Sequence, residues 1–401
     1  MTDKRLAIES QAIHAGEIHD PSGAHIAPIH QTSTFTFKDM DTVVRWGAGE
    51  VEGDIYTRVG NPTRRALATK LAALESIGLD DASDVGAEIF GSGMAAIAAS
   101  LMGLAKAGDH IVTQQVLYGS TDHLISDVLP EFGVTTSRVA ALEPDRLEEE
   151  LVAHPQTTVV YLETPANPTM RIVDIATTVA IAKERGARVV VDNTFATPVL
   201  QRPLTLGADV VVHSTTKYIN GHGTVIGGAA VYRNAAELDD RIARLIKFTG
   251  GVPSPMDCWL TNLGLKTLPL RMERHNANAT EVAAFLAQHD KIAATHYPGL
   301  AENPGHSVAA KQMLGFGAMI AFDLGSFEAA AAFLDGLELC ALAVSLGNID
   351  TLVEHPASMT HRVVPPEQRQ AAGITDGLVR MSVGLEAVGD IIDDVAQALE
   401  A

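Results

Sequence analysis

Hydrophobic positions along the chain fall into short all-apolar runs separated by stretches of helical spacing. Strands are predicted over 87–90, 110–114, 157–163, 188–192 (RVVVD) and 209–213 (DVVVH). Helices are predicted between them, over 63–76, 94–107, 121–132 and 175–185. A β-branched run that is apolar at every position suits a strand covered on both faces. Strands of that kind separated by helices predict a mostly parallel sheet with helices on either side.

The pattern changes after about residue 255. Helices are expected over 256–264 and 270–286, with a break or kink near Pro269, whose ring cannot continue a helix. A strand over 319–324, a helix over 327–337, short strands over 342–345 and 378–382, and a last helix from Val388 complete the chain. These make a smaller α+β domain. Residues 1–62 carry little periodicity and many Gly, Pro, His and Thr. They are expected to form an extended arm packed against a neighbouring subunit. The expected organisation is therefore an arm (1–62), an α/β domain (63–255) and a C-terminal α+β domain (256–401).

Composition narrows the function. The chain has 401 residues, 46% of them hydrophobic, which is ample for two cored domains. Acids outnumber bases 49 to 29, for a net charge of −20. Such a surface repels nucleic acid and anionic lipid. The two cysteines, Cys258 and Cys340, lie in no metal-binding or disulfide spacing, so no metal is expected. MTDKRLAIES lacks an apolar signal region, and the apolar stretch 93–104 is too short to span a bilayer. A cytoplasmic protein that acts on a small molecule is the expectation.

Ligands of an open α/β sheet bind beyond the carboxyl ends of its strands. RVVVD ends in Asp192, and DVVVH runs into Ser214-Thr215-Thr216-Lys217. A carboxylate and an amine at neighbouring strand tips match the needs of pyridoxal 5′-phosphate (PLP). Lysine forms a Schiff base with the aldehyde, and the carboxylate keeps the pyridine nitrogen protonated. Gly91-Ser92-Gly93-Met94 leads from a strand into a helix, where backbone N–H groups can face a phosphate. Ser214 and Thr216 add hydroxyl donors. Tyr118 follows the strand 110–114 and could stack on a ring. Arg58, in YTRVGNPT, has the fork that suits a phosphate. Arg380, inside LVRMS, needs a partner, either a substrate carboxylate or an internal acid.

Taken together, YTRVGNPT (56–63), SGMAAI (92–97), ETPANPT (163–169), DNTFATP (192–198) and HSTTKYINGHG (213–223) resemble the signatures of the Cys/Met-metabolism PLP enzymes. The resemblance runs from about residue 10 to the C-terminus. It implies fold type I, the aspartate aminotransferase-like α/β fold. By the same resemblance Lys217 is the Schiff-base lysine, Asp192 the pyridinium partner and Tyr118 the stacking acid/base. Gly93, Met94, Ser214 and Thr216 would hold the phosphate, with Tyr56 and Arg58 reaching it from the neighbouring subunit. Asn167 would sit by the cofactor's 3′-oxygen, and Ser345 and Arg380 would bind the substrate carboxylate. The implied assembly is a catalytic dimer, paired into a homotetramer.

Residues 338–361 and 372–386 are most similar to the methionine γ-lyase branch. Cystathionine-handling members carry Glu before the serine of SLG, where this chain has Val344. An apolar residue suits a thioether with no distal charge. The expected reaction is γ-elimination from a sulfur amino acid, methionine above all. Three departures keep other members open. Ser120 stands where that branch has Cys, GHGT replaces GHGD at 221–224, and Ile246-Lys247 align with a Lys-Asp pair. The alternatives are γ-replacement by an O-acylhomoserine sulfhydrylase or cystathionine γ-synthase, and a cystathionine γ-lyase.

Overall fold

The computed structural model describes residues 6–400 apart from His19 and Val363. Seven strands form the central sheet: β1 (Val85–Phe90), β2 (His110–Gln114), β3 (Thr135–Val139), β4 (Thr157–Glu163), β5 (Arg188–Asp192), β6 (Val210–His213) and β7 (Gly228–Arg233). Their order is β1-β7-β6-β5-β4-β2-β3. Strands β6, β5, β4, β2 and β3 pair in parallel, and β7 alone runs against its neighbours β6 and β1. Every residue of β2 and β6 is buried, the polar His110, Thr113 and Gln114 of β2 included.

Sequence pattern missed β3 and β7 for different reasons. β3 (TTSRV) lies at the sheet edge, and four of its five residues are polar. β7 begins Gly-Ala-Ala because it passes close to the start of helix Gly93–Leu104; a Cβ on Gly228 would lie 2.1 Å from the Ser92 carbonyl oxygen. Steric room, not β-propensity, selects those residues.

The second sheet contains β8 (Ala294–His296), β9 (Met319–Asp323), β10 (Ala341–Leu342), β11 (Leu352–Glu354) and β12 (Leu378–Ser382), in the order β10-β11-β12-β9-β8. The strand expected over 342–345 ends at Leu342, since Ser345 has a φ of 90° and cannot continue an extended run. Pro269 sits in the first turn of helix Leu268–Ala287, where its missing N–H costs nothing, and the chain breaks just before it. The helix expected over 121–132 starts at Gly119 and has a π-helical turn, Leu124–Val128. The arm is not wholly extended. Helices Ile8–His14 and Met40–Gly47 interrupt it, and Lys70 holds the first through the carbonyls of Ala12 and Ile13 at 3.0 Å.

One apolar core runs across both sheets, including Leu67, Tyr218, Ala229, Met272, Phe322 and Val379. A polar network lies within it, behind the strand ends. His213 Nε2 is 2.6 Å from Glu75 Oε1, and both side chains are fully buried. Asn193 donates to Glu75 at 3.1 Å and to the Gln201 carbonyl at 2.8 Å. Gln201 in turn donates to Asn193 Oδ1 and the Thr164 carbonyl. This ties helix Pro62–Glu75 to the ends of β5 and β6, which carry the site. Glu75→Ala leaves the buried His213 without its partner and Asn193 with only the Gln201 carbonyl, and is expected to destabilise the protein by about 3–5 kcal/mol. A urea titration checks this: the midpoint should fall, less for Glu75→Gln, and an unchanged midpoint refutes the network's role.

Candidate active site

The carboxyl ends of β4, β5 and β6 open onto a cavity of about 390 Å³. Eleven of the fourteen residues singled out in the sequence line it. They are Gly93, Met94, Tyr118, Asn167, Asp192, Ser214, Thr216, Lys217, Val344, Ser345 and Arg380. Tyr56, Arg58 and Ser120 do not. All three are solvent-exposed in the single chain. Arg58 donates to the Lys247 carbonyl and lies 5.7 Å from the Tyr56 ring centre. A larger hollow of about 560 Å³, lined by Asp122, His123, Arg138 and His361, contains none of the fourteen.

Lys217 is half-buried and donates to Ser345 Oγ at 2.7 Å. Burial, and then the Arg380 charge, lower its pKa to about 8. A usable fraction of the amine is therefore neutral near pH 8 and able to attack an aldehyde. Asp192 accepts from the Thr194 N–H at 2.9 Å, and burial raises its pKa. A cationic ring nitrogen beside it would relieve that cost.

Arg380, on β12, is 3% exposed and makes three contacts. Nη1 pairs with Glu354 at 3.0 Å and donates to Asn167 Oδ1 at 2.9 Å. Nη2 donates to the Ser345 carbonyl at 2.6 Å. The internal acid left open by the sequence is thus Glu354, which also accepts from Thr360 at 2.9 Å. The positive φ of Ser345 turns its carbonyl to Arg380 and its hydroxyl to Lys217, the kind of local strain that a site retains.

The opposite wall suits a phosphate. Ser92 caps helix Gly93–Leu104 by accepting from the Ala95 N–H, so the first turn of a twelve-residue helix lines the cavity. A Cβ on Gly93 would lie 2.8 Å from Ser214 Cβ, so only glycine leaves room there. The Ser214 N–H donates to Thr194 Oγ1 at 2.8 Å, which joins the phosphate wall to the Asp192 loop. Amine, carboxylate, aromatic ring, helix N-terminus and hydroxyls fit PLP as a set.

Sequence reading missed four residues here. Glu163, Thr194 and Thr360 line the cavity, and Glu354 is the buried counter-ion of Arg380. Glu163 opens the quoted ETPANPT motif and ends an apolar strand, which was a usable signal. Glu354 is legible only from β11 pairing with β12, in register with Arg380.

A second polar cluster lies at the other end of β2. His110, Glu150 and His154 place ligand atoms within 4.8 Å of one another. The two imidazoles stack at 4.2 Å with only 16° between their planes, so their in-plane lone pairs do not converge on one ion. Among the described residues no helix is long and apolar enough to cross a membrane.

Comparison with known proteins agrees with this geometry. The chain is 48% identical to an L-methionine γ-lyase of Fusobacterium nucleatum subsp. polymorphum over the whole of both chains. It is 43% identical to a cystathionine γ-lyase of Bacillus subtilis, covering 97% of this chain and 98% of that one. The solved cystathionine γ-synthase of Xanthomonas oryzae pv. oryzae, in complex with aminoacrylate and cysteine, superposes with a TM-score of 0.90 at 40% identity, over 98% of each chain. The family model for Cys/Met metabolism PLP-dependent enzymes matches residues 9–400. With lysine, aspartate and phosphate wall meeting in one cavity of a fold type I chain, this protein belongs to the Cys/Met metabolism family of PLP-dependent enzymes.

Proposed function

We propose that the protein is a carbon–sulfur lyase that converts L-methionine and water to methanethiol, 2-oxobutanoate and ammonia. The observation that carries the reading is the apolar wall formed by Val344 and Ile226 at the cavity mouth. A thioether methyl gains from such a wall. The distal carboxylate and ammonium of cystathionine would find no charged partner on either side chain. Full-length similarity to L-methionine γ-lyases supports it. Ser120, Thr224 and Ile246-Lys247 favour a second reading, γ-replacement on an O-acylhomoserine, which shares the same catalytic groups.

PLP, when bound, supplies an aldehyde for amine attachment and a ring that delocalises negative charge from the substrate's α-carbon. The protein's own groups do the rest. Asp192 would hold the ring nitrogen's proton. The helix turn at Gly93 and Met94, with Ser214 and Thr216, would hold the phosphate, and Asn167 would stand by the 3′-oxygen. Arg380 and Ser345 orient the substrate carboxylate, so the Cα–H bond faces Lys217. Once free, the Lys217 amine would take the α-proton, return it to the cofactor-bound substrate, and so be neutral again to take a β-proton. Its lowered pKa suits it to both duties. Tyr118 would lie against the ring and give a proton to the departing sulfur.

Exposure of Tyr56 and Arg58 outside their own chain's cavity supports a homo-oligomer in which each arm completes a neighbour's phosphate site. In this organisation 1–62 is the arm, 63–255 holds the cofactor and 256–401 contributes the substrate clamp. The buried, unpaired Cys258 and Cys340 support a reducing cytoplasm.

With L-methionine alone, the enzyme is expected to release methanethiol and 2-oxobutanoate with a higher kcat/KM than it shows for O-acetylhomoserine plus sulfide. The reverse order overturns the lyase reading. Ser120→Cys should move the ratio toward methionine by no more than about 10–200-fold, the worth of one such contact. Mixing inactive Arg58→Ala with inactive Lys217→Ala protein should restore part of the activity. One site in each mixed dimer then has both residues intact. No recovery after proven subunit exchange places Arg58's action within its own chain.

A further inference from the structure

Glu163 lies in the wall of the cavity with no part in the chemistry described above. It ends β4 in register with Asp192, which ends β5. Both of its carboxyl oxygens accept from the Tyr118 N–H, at 2.9 and 3.1 Å. Its own N–H donates to Gln114 Oε1 at 3.0 Å, so its backbone is fixed as well. The fully buried Tyr161 hydroxyl lies between the two acids, 3.4 Å from Glu163 Oε1 and 3.5 Å from Asp192 Oδ2.

Two ionised carboxylates joined through one hydroxyl in a dry site repel each other, so one takes a proton. Asp192 is better placed to keep its charge. It accepts from the Thr194 N–H and hydroxyl, and the His213 imidazole also favours its ionised form. The charged groups that bear most on Glu163 are Asp192 and Asp122, both acids, alongside the Tyr161 phenol. Burial and then Asp192 push the Glu163 carboxyl well above its ordinary range. Tyr161 is likewise pushed up, by burial and then Asp192, and remains a neutral phenol.

We propose that Glu163 is a neutral carboxylic acid that positions Tyr118 and leaves Asp192 as the only anion beneath the cofactor ring. Its O–H donates to the Tyr161 oxygen, and the Tyr161 O–H donates to Asp192. Three buried oxygen groups then share one negative charge, which faces the cavity at Asp192. The Glu163 carbonyl oxygen meanwhile holds the Tyr118 backbone and so fixes where its ring lies. Glu163 is a positioning residue, and the inference rests on the roles proposed for Asp192 and Tyr118.

Glutamine is the discriminating substitution. Glu163→Gln keeps a carbonyl oxygen for the Tyr118 N–H, an N–H for Tyr161 and a neutral side chain. Glu163→Ala keeps none of these. For each variant, PLP binding to the apoenzyme is measured by fluorescence quenching, the visible band of bound cofactor is titrated with pH, and kcat/KM is determined. Glu163→Gln is expected to stay within about threefold of wild type in Kd and kcat/KM, with an unmoved pH midpoint. Glu163→Ala is expected to lose roughly tenfold to hundredfold in both, the worth of the lost hydrogen bonds. A Glu163→Gln protein as impaired as Glu163→Ala, or a midpoint displaced by about one unit, shows that Glu163 acts as an anion and overturns the proposal. A folded Glu163→Ala protein within threefold of wild type overturns the positioning role. If Glu163→Ala does not fold, the Glu163→Gln measurements alone decide. The underlying assignment is tested separately: Asp192→Asn and Tyr118→Phe with unchanged Kd and kcat/KM would remove that assignment, and the proposal with it.

Discussion

A guanidinium buried in the seam between two sheets is the constraint on which the rest of this site depends. Arg380 sits on β12 of the second sheet and reaches Asn167, just beyond β4 of the first. A charge so buried needs partners. Glu354 supplies the opposite charge from the adjacent strand, and Asn167 and the Ser345 carbonyl supply two further acceptors, while Nε has no partner among the described residues. To offer that carbonyl, the backbone at Ser345 takes a φ of 90°, which ends β10 early and swings the serine hydroxyl onto Lys217. The same positive charge, added to burial, brings the Lys217 amine down to about 8. One buried arginine thus joins the two sheets, shapes one wall of the cavity and helps lower the pKa of the lysine.

Acids are distributed with the same economy. Glu354 faces Arg380, Glu75 faces His213 and Asn193, and Asp192 faces the cavity. Each lies at or behind a strand end, where the sheet stops supplying backbone partners and side chains must. The apolar runs of β4 and β5 that made those strands visible in the sequence also deliver Glu163 and Asp192 to one edge of the sheet.

That explains what could be read from the chain and what could not. Parallel strands β2, β4, β5 and β6 were legible because each carries a consecutive apolar, largely β-branched stretch that is buried on both faces. Lys217 and Asp192 were legible because they directly follow such runs. β8, β10 and β11, of two or three residues each, carry too few positions to show any period. β7 was hidden by small residues that its neighbour's carbonyl demands. The arm's first short helix, Ile8–His14, was hidden because its stability comes from docking, through the buried Ala12, and not from its own pattern. Glu354 has no local signal at all. Its meaning lies in a strand pairing that links residues 26 apart in sequence, Glu354 and Arg380. The identity of the substrate was only half legible, because Val344 points one way and Ser120 another.

The central claim is that Lys217 carries the cofactor in this cavity. Borohydride reduction of the loaded enzyme fixes the cofactor to its lysine, and peptide mass spectrometry then reads the position. The account predicts one modified peptide, containing Lys217 within HSTTKYINGHG, and no adduct in Lys217→Ala protein. A cofactor-bearing peptide from any other lysine, or an adduct that survives in Lys217→Ala, would contradict it.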